Sequence, residues 1–210
     1  MDQRKKEAVF SYIDQEKQKI IQRGDDFFHC AELGFREIKT QQMICQALEE
    51  MGIPYEKTAQ TGVAASLGTG SSYHIGLTCD IDALPDGKGG TIHSCGHSIQ
   101  TAAGLTVLEA LQKTNVLAET DGKVTVFFTP AEEFIDFAYR DQLIAEGKIR
   151  SRSGKQDMIL SGVFDGVDCI LSCHANGEAE ARFDIGSTLA GFLAKKAVFH
   201  GTASHSGVAA

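Results

Sequence analysis

Two short apolar runs constrain this chain more than any other feature: Val124-Thr125-Val126-Phe127-Phe128 and Val167-Asp168-Cys169-Ile170-Leu171-Ser172. Each reads as a strand buried on both faces, the kind found in parallel sheets. Val63-Ala64-Ala65-Ser66-Leu67 and His74-Ile75-Gly76-Leu77-Thr78-Cys79 add two strands, separated by a turn at 68–72. Between them lie amphipathic patterns that predict one long helix over 3–29, a second over 37–51 stopped by Gly52, and a third over 97–113. Residues 134–163 mix helical and loop texture without a single period. Strands alternating with helices predict an α/β fold, a mostly parallel central sheet with helices on both faces. Such sheets collect ligands at the carboxyl ends of their strands.

Composition removes several functional classes. With 210 residues, 42% hydrophobic and 23% charged, the chain can bury a sizeable core and is not a disordered polypeptide. A formal net charge of −8 gives no support to nucleic-acid binding, which needs a basic patch. No apolar run approaches the roughly 18 residues of a membrane span, and the N-terminus lacks the apolar core of a signal peptide. The cysteines at 30, 45, 79, 95, 169 and 173 lack the spacing of a disulfide framework. Reduced thiols, and with them a cytoplasmic location, are expected. The basic cluster Lys148, Arg150, Arg152 and Lys155 reads as a solvated loop rather than an anion site. Gly68-X-Gly70 is too short a match for a dinucleotide loop.

Chemistry concentrates in three islands, each where a strand runs out into a loop: His93-Ser94-Cys95-Gly96-His97, Pro130-Ala131-Glu132-Glu133, and Cys173-His174. Together they supply a thiolate, imidazoles and adjacent carboxylates, a set suited to zinc or a similar transition metal, with manganese admitted by the carboxylates. Cys95 and His97 flank a glycine that lets the backbone bend. Glu132 and Glu133 diverge in direction, so one can bind metal while the other faces a metal-bound water as general base. An acidic helix start is the plainer reading of that pair, and a core histidine that of His174. Asp80 and Asp82 share a strand-end spacing that would let one orient a ligand.

In combination the islands resemble the metal-dependent amidohydrolase branch of the co-catalytic metallopeptidases, with its aminoacylase-like, hippurate-hydrolase-like and indole-acetyl-amino-acid-hydrolase-like members. The matching stretches run from Ala31-Glu32-Leu33-Gly34-Phe35 and Lys39-Thr40 through Asp80-Ile81-Asp82-Ala83-Leu84-Pro85, the three islands, and 201–205. The resemblance implies two divalent metal ions, Mn2+ or Zn2+, held by Cys95, His97, Glu133 and His174, with Glu132 as general base. It implies residues 1–186 as the N-terminal part of the catalytic domain and 187–210 as the start of a small α+β lid that mediates homodimerisation. His205 matches a lid histidine that reaches into the partner's site and steadies the oxyanion. The implied reaction is hydrolysis of the amide bond of an N-acyl amino acid or a similar small, peptide-like substrate by metal-bound hydroxide, with neither nucleic acid nor membrane as a partner.

Three departures accompany the resemblance. Ser98 and Gln100 stand where the family has aspartate and histidine, and residues 134–163 are expected to include an insertion at the pocket rim. The family's last histidine ligand would lie beyond Ala210, and the strand read over 189–200 starts a sheet the chain does not complete, so a fragment or early-terminated form of a longer protein is expected. The competing readings are a di- or tripeptidase or aminopeptidase of the same superfamily, against which Cys95 argues, and a truncated, non-catalytic metal-binding or interaction protein.

Overall fold

A computed structural model of the chain describes residues 3–69, 72–118 and 120–175, and beyond them 195, 197, 198, 200 and 201. The chain divides into two units, Met1–Asn176 and Gly177–Ala210, and the described fold is that of the first. The strand expected over 189–200, the turn at 201–207 and the lid residues from 187 onward fall outside the described residues, save those five positions. The elements are α1 (Gln3–Gln15), α2 (Lys17–His29), α3 (Ile38–Met51), β1 (Tyr55–Thr58), β2 (Gly62–Leu67) and β3 (Tyr73–Asp80). There follow β4 (Leu84–Pro85), β5 (Thr91–Ile92), α4 (His97–Lys113), β6 (Gly122–Thr129), α5 (Phe137–Ala145), α6 (Gly154–Ser161) and β7 (Cys169–Ser172).

The central sheet has the order β1-β2-β6-β3-β7. Strand β3 lies parallel to β6, from Tyr73↔Gly122 to Asp80↔Thr129, and parallel to β7, from Ile75↔Cys169 to Thr78↔Ser172. On the far flank β2 runs antiparallel to β6, and β1 antiparallel to β2. The parallel half therefore delivers the carboxyl ends of β3, β6 and β7 to one edge, where the three islands begin.

Side chains alternate across the strands and fill two layers. On one face Val63, Ala65, Cys79, Val126 and Phe128 pack with Phe27 of α2, Ile44 and Leu48 of α3, and Leu105 and Leu108 of α4. On the other, Ala64 and Phe127 meet Met158 of α6, with Val163, Phe164 and Val167 alongside. A third cluster, Phe35, Ala131, Leu143 and Ile149, fastens α5 beneath the turn that carries Glu132 and Glu133. The α/β expectation thus holds, with helices on both faces of the sheet.

Two local expectations need correction. The single helix over 3–29 is interrupted at Glu16, whose φ of −88° and ψ of 7° leave helical geometry. The cause is tertiary: α2 is anchored on α4 through Phe27 and the Arg23–Glu109 ion pair, whereas α1 buries no residue. Within α1 only Lys5, Val9, Tyr12 and Ile13 are half-buried, and the Tyr12 phenol bonds the same Glu109 carboxylate. The strand expected over 167–172 begins at Cys169 and is not buried: Ile170 and Leu171 are 46% and 55% exposed. Strand β7 is the outermost of the described sheet, and an edge strand shields an apolar run on fewer sides.

Helix α4 sets the depth of the site because it lies close against the sheet at Gly104. A Cβ there would meet Cys79 Sγ at 2.8 Å and Val126 Cγ1 at 2.9 Å. Intrinsic propensity favours alanine over glycine in a helix by about 1 kcal/mol, but overpacking costs about 1–3 kcal/mol. Gly104→Ala is therefore expected to lower unfolding free energy despite its better helix propensity. A rise in the urea midpoint would mean that α4 does not pack this closely.

Candidate metal centre

The turn before α4 is built for close approach. Gly96, at φ 82° and ψ 16°, occupies the left-handed region, and a Cβ on it would lie 2.6 Å from that of Ala175. With Gly96 as N-cap, His97 becomes the first helical residue and is fully buried. Its Nδ1 donates to the Asp82 carbonyl at 2.8 Å, and the Asp82 carboxylate Oδ1 lies 3.2 Å from the same nitrogen. This fixes the tautomer and leaves Nε2 without a hydrogen-bond partner among the described residues.

Other donors surround that nitrogen. Ligand atoms of Cys95, His97 and His174 lie within 4.8 Å of one another, and so do those of His97, Glu132 and Glu133. Cys95 Sγ and His174 Nε2 are 3.3 Å apart. Glu133 Oε1 is buried and, like His97 Nε2, unpartnered among the described residues. All four residues expected to bind metal, and the expected base Glu132, thus converge. His174 is exposed, so it is not a core histidine. His93 is buried but stays outside both donor groups, and His205 lies outside the described residues.

The turn carrying the carboxylates is held from below. Ala131 adopts a φ of 49°, unusual for a residue with a side chain. Its N–H donates to Glu37 Oε1 at 2.8 Å, and Glu37 Oε2 accepts from Thr61 Oγ1 at 2.6 Å. The Glu133 N–H donates to Asp82 Oδ2 at 3.0 Å. Of the paired acids at the end of β3, Asp82 is therefore the one that contacts two of the expected ligands, His97 and Glu133. Asp80 turns instead to Lys155 Nζ, 2.9 and 3.0 Å from its two oxygens, while Gln100 Oε1 accepts the Asp80 N–H.

The electrostatics are those of a thiol, an imidazole and several carboxylates crowded together. Burial, aided by Glu133, pushes the Cys95 thiol up to about 12. Burial also raises Asp80 and Glu133. For His97 burial pulls the pKa down, but the hydrogen bond and charge of Asp82, with Asp80, outweigh it and raise the value to about 9. Metal ligands are deprotonated thiolate, neutral imidazole and carboxylate, and the orphaned His97 Nε2 and Glu133 Oε1 are the atoms such an ion would satisfy. The residues present fit a bound divalent metal.

Three residues that matter here escape sequence reasoning. Glu37 and Arg140 are fully buried polar side chains beneath the turn, and Lys155 also comes within 3.8 Å of Glu132 Oε1. Lys155 belongs to the cluster read as solvated. That reading suits Lys148 and Arg152, which pair at the surface with Glu146 and Asp141.

Comparison with known proteins identifies a family and relatives. The model of Peptidase family M20/M25/M40 matches residues 76–193. The chain is 30% identical over 193 residues to IAA-amino acid hydrolase ILR1-like 2 of Arabidopsis thaliana, covering 84% of this chain and 39% of that protein. It is 36% identical over 114 residues to hippurate hydrolase of Campylobacter jejuni subsp. jejuni, covering 49% of this chain and 29% of the relative. The crystal structure of Bacillus subtilis YXEP, a dinuclear metal-binding peptidase of the M20 family, superposes with a TM-score of 0.62 at 28% identity, over 76% of this chain and 43% of that one. The chain thus spans less than half the length of these relatives.

Glu37 gives the site a pH signature. Burial, reinforced by Asp82, raises its carboxyl from 4.5 to about 8. Between those values the folded chain keeps a proton that the unfolded chain has lost, so this group removes stability as pH rises through the window. A shift of this size corresponds to a few kcal/mol, on the order of 1.4 per pH unit. Glu37→Gln retains an acceptor for Ala131 and a polar partner for Thr61 without the charge. Its denaturation midpoint is expected to depend less on pH between about 5 and 8 than that of the wild type. Parallel curves for the two proteins would show that Glu37 is not held protonated.

Proposed function

The chain belongs to Peptidase family M20/M25/M40, and we propose that it forms most of the active site of a metal-dependent amidohydrolase cleaving an N-acyl amino acid or a similar small amide. The observation that carries this reading is the buried His97, its Nε2 unpartnered among the described residues, which shares one group of ligand atoms within 4.8 Å with Cys95 and His174 and another with Glu132 and Glu133. Cys95, His97, Glu133 and His174 would hold two divalent ions, and thiolate with imidazole favours zinc, carboxylate admitting manganese. Bound there, the ions would polarise the scissile carbonyl and acidify a water.

The chain's own residues supply the rest. Glu132, partly exposed and facing the same space as His97, takes a proton from the attacking water and returns it to the leaving amine. Asp82 keeps His97 in the tautomer that presents Nε2, and holds the Glu133 amide so that its carboxylate points inward. His205 is assigned, on the family resemblance, to the oxyanion across a homodimer formed through the lid. Relatives named for IAA-amino acids and for hippurate support the substrate class. All six cysteines are free thiols, which supports a cytoplasmic setting. No helix among the described residues is long and apolar enough to cross a membrane.

Two measurements test the roles separately. Elemental analysis of Cys95→Ser is expected to show less bound zinc or manganese than wild type, and unchanged stoichiometry would remove Cys95 from the ligand set. Glu132→Ala is expected to keep its metal while hydrolysis of a panel of N-acyl amino acids falls about 10²- to 10⁴-fold. Activity that survives this substitution means that another group is the base.

A further inference from the structure

Arg140 is the largest side chain in the fold with no solvent exposure, and it belongs to the stretch between the second and third islands. A buried guanidinium is costly unless most of its donors and its charge are answered. Here Nη1 donates to the Arg152 carbonyl at 2.6 Å and the Ala131 carbonyl at 3.4 Å, and Nη2 donates to the Glu133 carbonyl, while Nε has no hydrogen-bond partner among the described residues. The guanidinium carbon lies 5.6 Å from the centre of the Phe35 ring and 6.0 Å from that of Phe134. Asp82, Asp136 and Glu133 supply the surrounding negative charge. Even the chain opposite makes room: a Cβ on Gly34 would fall 2.7 Å from Arg140 Nη2 and 2.8 Å from the Ala131 Cα.

These contacts land on the backbone of the turn and on both sides of Glu132. Ala131 is held at its N–H by Glu37 and at its carbonyl by Arg140 and the Gly154 N–H. Glu133 is held at its N–H by Asp82 and at its carbonyl by Arg140. Between those fixed peptide groups sits a left-handed alanine, a conformation that persists only where its surroundings over-determine it. We propose that Arg140 is a positioning residue for the metal-holding turn: its guanidinium locks the Ala131 and Glu133 carbonyls so that Glu132 and Glu133 are presented towards His97. Without it the Ala131 backbone relaxes out of the left-handed region, and the two carboxylates rotate away from the other donors. The inference rests on the reading of Glu133 as a metal ligand.

The test measures metal affinity apart from fold stability. Wild type, Arg140→Lys and Arg140→Met, as full chains, are titrated with Zn2+ and with Mn2+ by calorimetry, and each is melted free of metal. Arg140→Lys keeps a buried cation but cannot bridge the carbonyls as a planar fork. It is expected to melt near the wild type without metal and to bind the ions about 10- to 100-fold more weakly, the range seen when the support of a ligand is removed. Arg140→Met is expected to lose at least as much affinity. Should it fail to fold, Arg140→Lys decides the matter. A lowered metal-free midpoint with unchanged affinity in Arg140→Lys would make Arg140 a packing residue and overturn the proposal. Wild type that binds neither ion would overturn the metal-centre reading itself, and the proposal with it. Tight binding by wild type and Arg140→Lys alike would overturn the proposal alone.

Discussion

The Asp82 carboxylate ties the first two islands into one site. It is fully buried two residues beyond the end of β3, with one oxygen beside the His97 imidazole and the other accepting the Glu133 N–H. The parallel pairing of β3 with β6, ending at Asp80↔Thr129, brings the two strand ends level, so the segments after them emerge side by side. Burying a carboxylate is expensive unless it is hydrogen-bonded and near positive charge. The Glu133 amide, the His97 ring and the nearby guanidinium of Arg140 meet that requirement together. One side chain therefore selects the tautomer of one candidate ligand and the backbone orientation of another. The geometry of the metal centre depends on it more than on any single ligand.

Much of this architecture is legible in the sequence because its causes are local. The apolar runs at 63–67, 74–79 and 124–128 mark β2, β3 and β6 to within two residues, and the periodicities at 37–51 and 97–113 mark α3 and α4. Glu132, Glu133 and His174 follow β6 and β7, and Cys95 and His97 come to the same place through the turn that opens α4. What is not legible depends on partners distant in sequence. The break at Glu16 follows from how α2 docks on α4, and the exposure of β7 follows from its place at the sheet edge. Glu37 stands just before α3 at the helical spacing of Ile44 and Leu48, but nothing local tells that its partners are Thr61 and the Ala131 amide. A charged residue reads as surface until its tertiary partner is known.

The stretch 134–163, expected from sequence to be an insertion, supplies the positive charge of the site. Helix α5 sends Arg140 beneath the turn that carries Glu132 and Glu133, and α6 sends Lys155 to Asp80 and the edge of Glu132. Opposite them stand Asp80, Asp82, Glu132 and Glu133, with burial raising Asp80 and Glu133. The two cations do different work because their chemistry differs. Arginine's planar fork reaches several carbonyls at once and so fixes backbone, whereas lysine is a point charge that offsets carboxylates. Neither donor set satisfies His97 Nε2 or Glu133 Oε1, which are among the buried polar atoms without a hydrogen-bond partner among the described residues. The segment thus braces and partly neutralises the acid cluster while leaving its inner face for a divalent ion. Its sequence announces only a change in length, since bracing is a property of where α5 and α6 pack and not of their own periodicity.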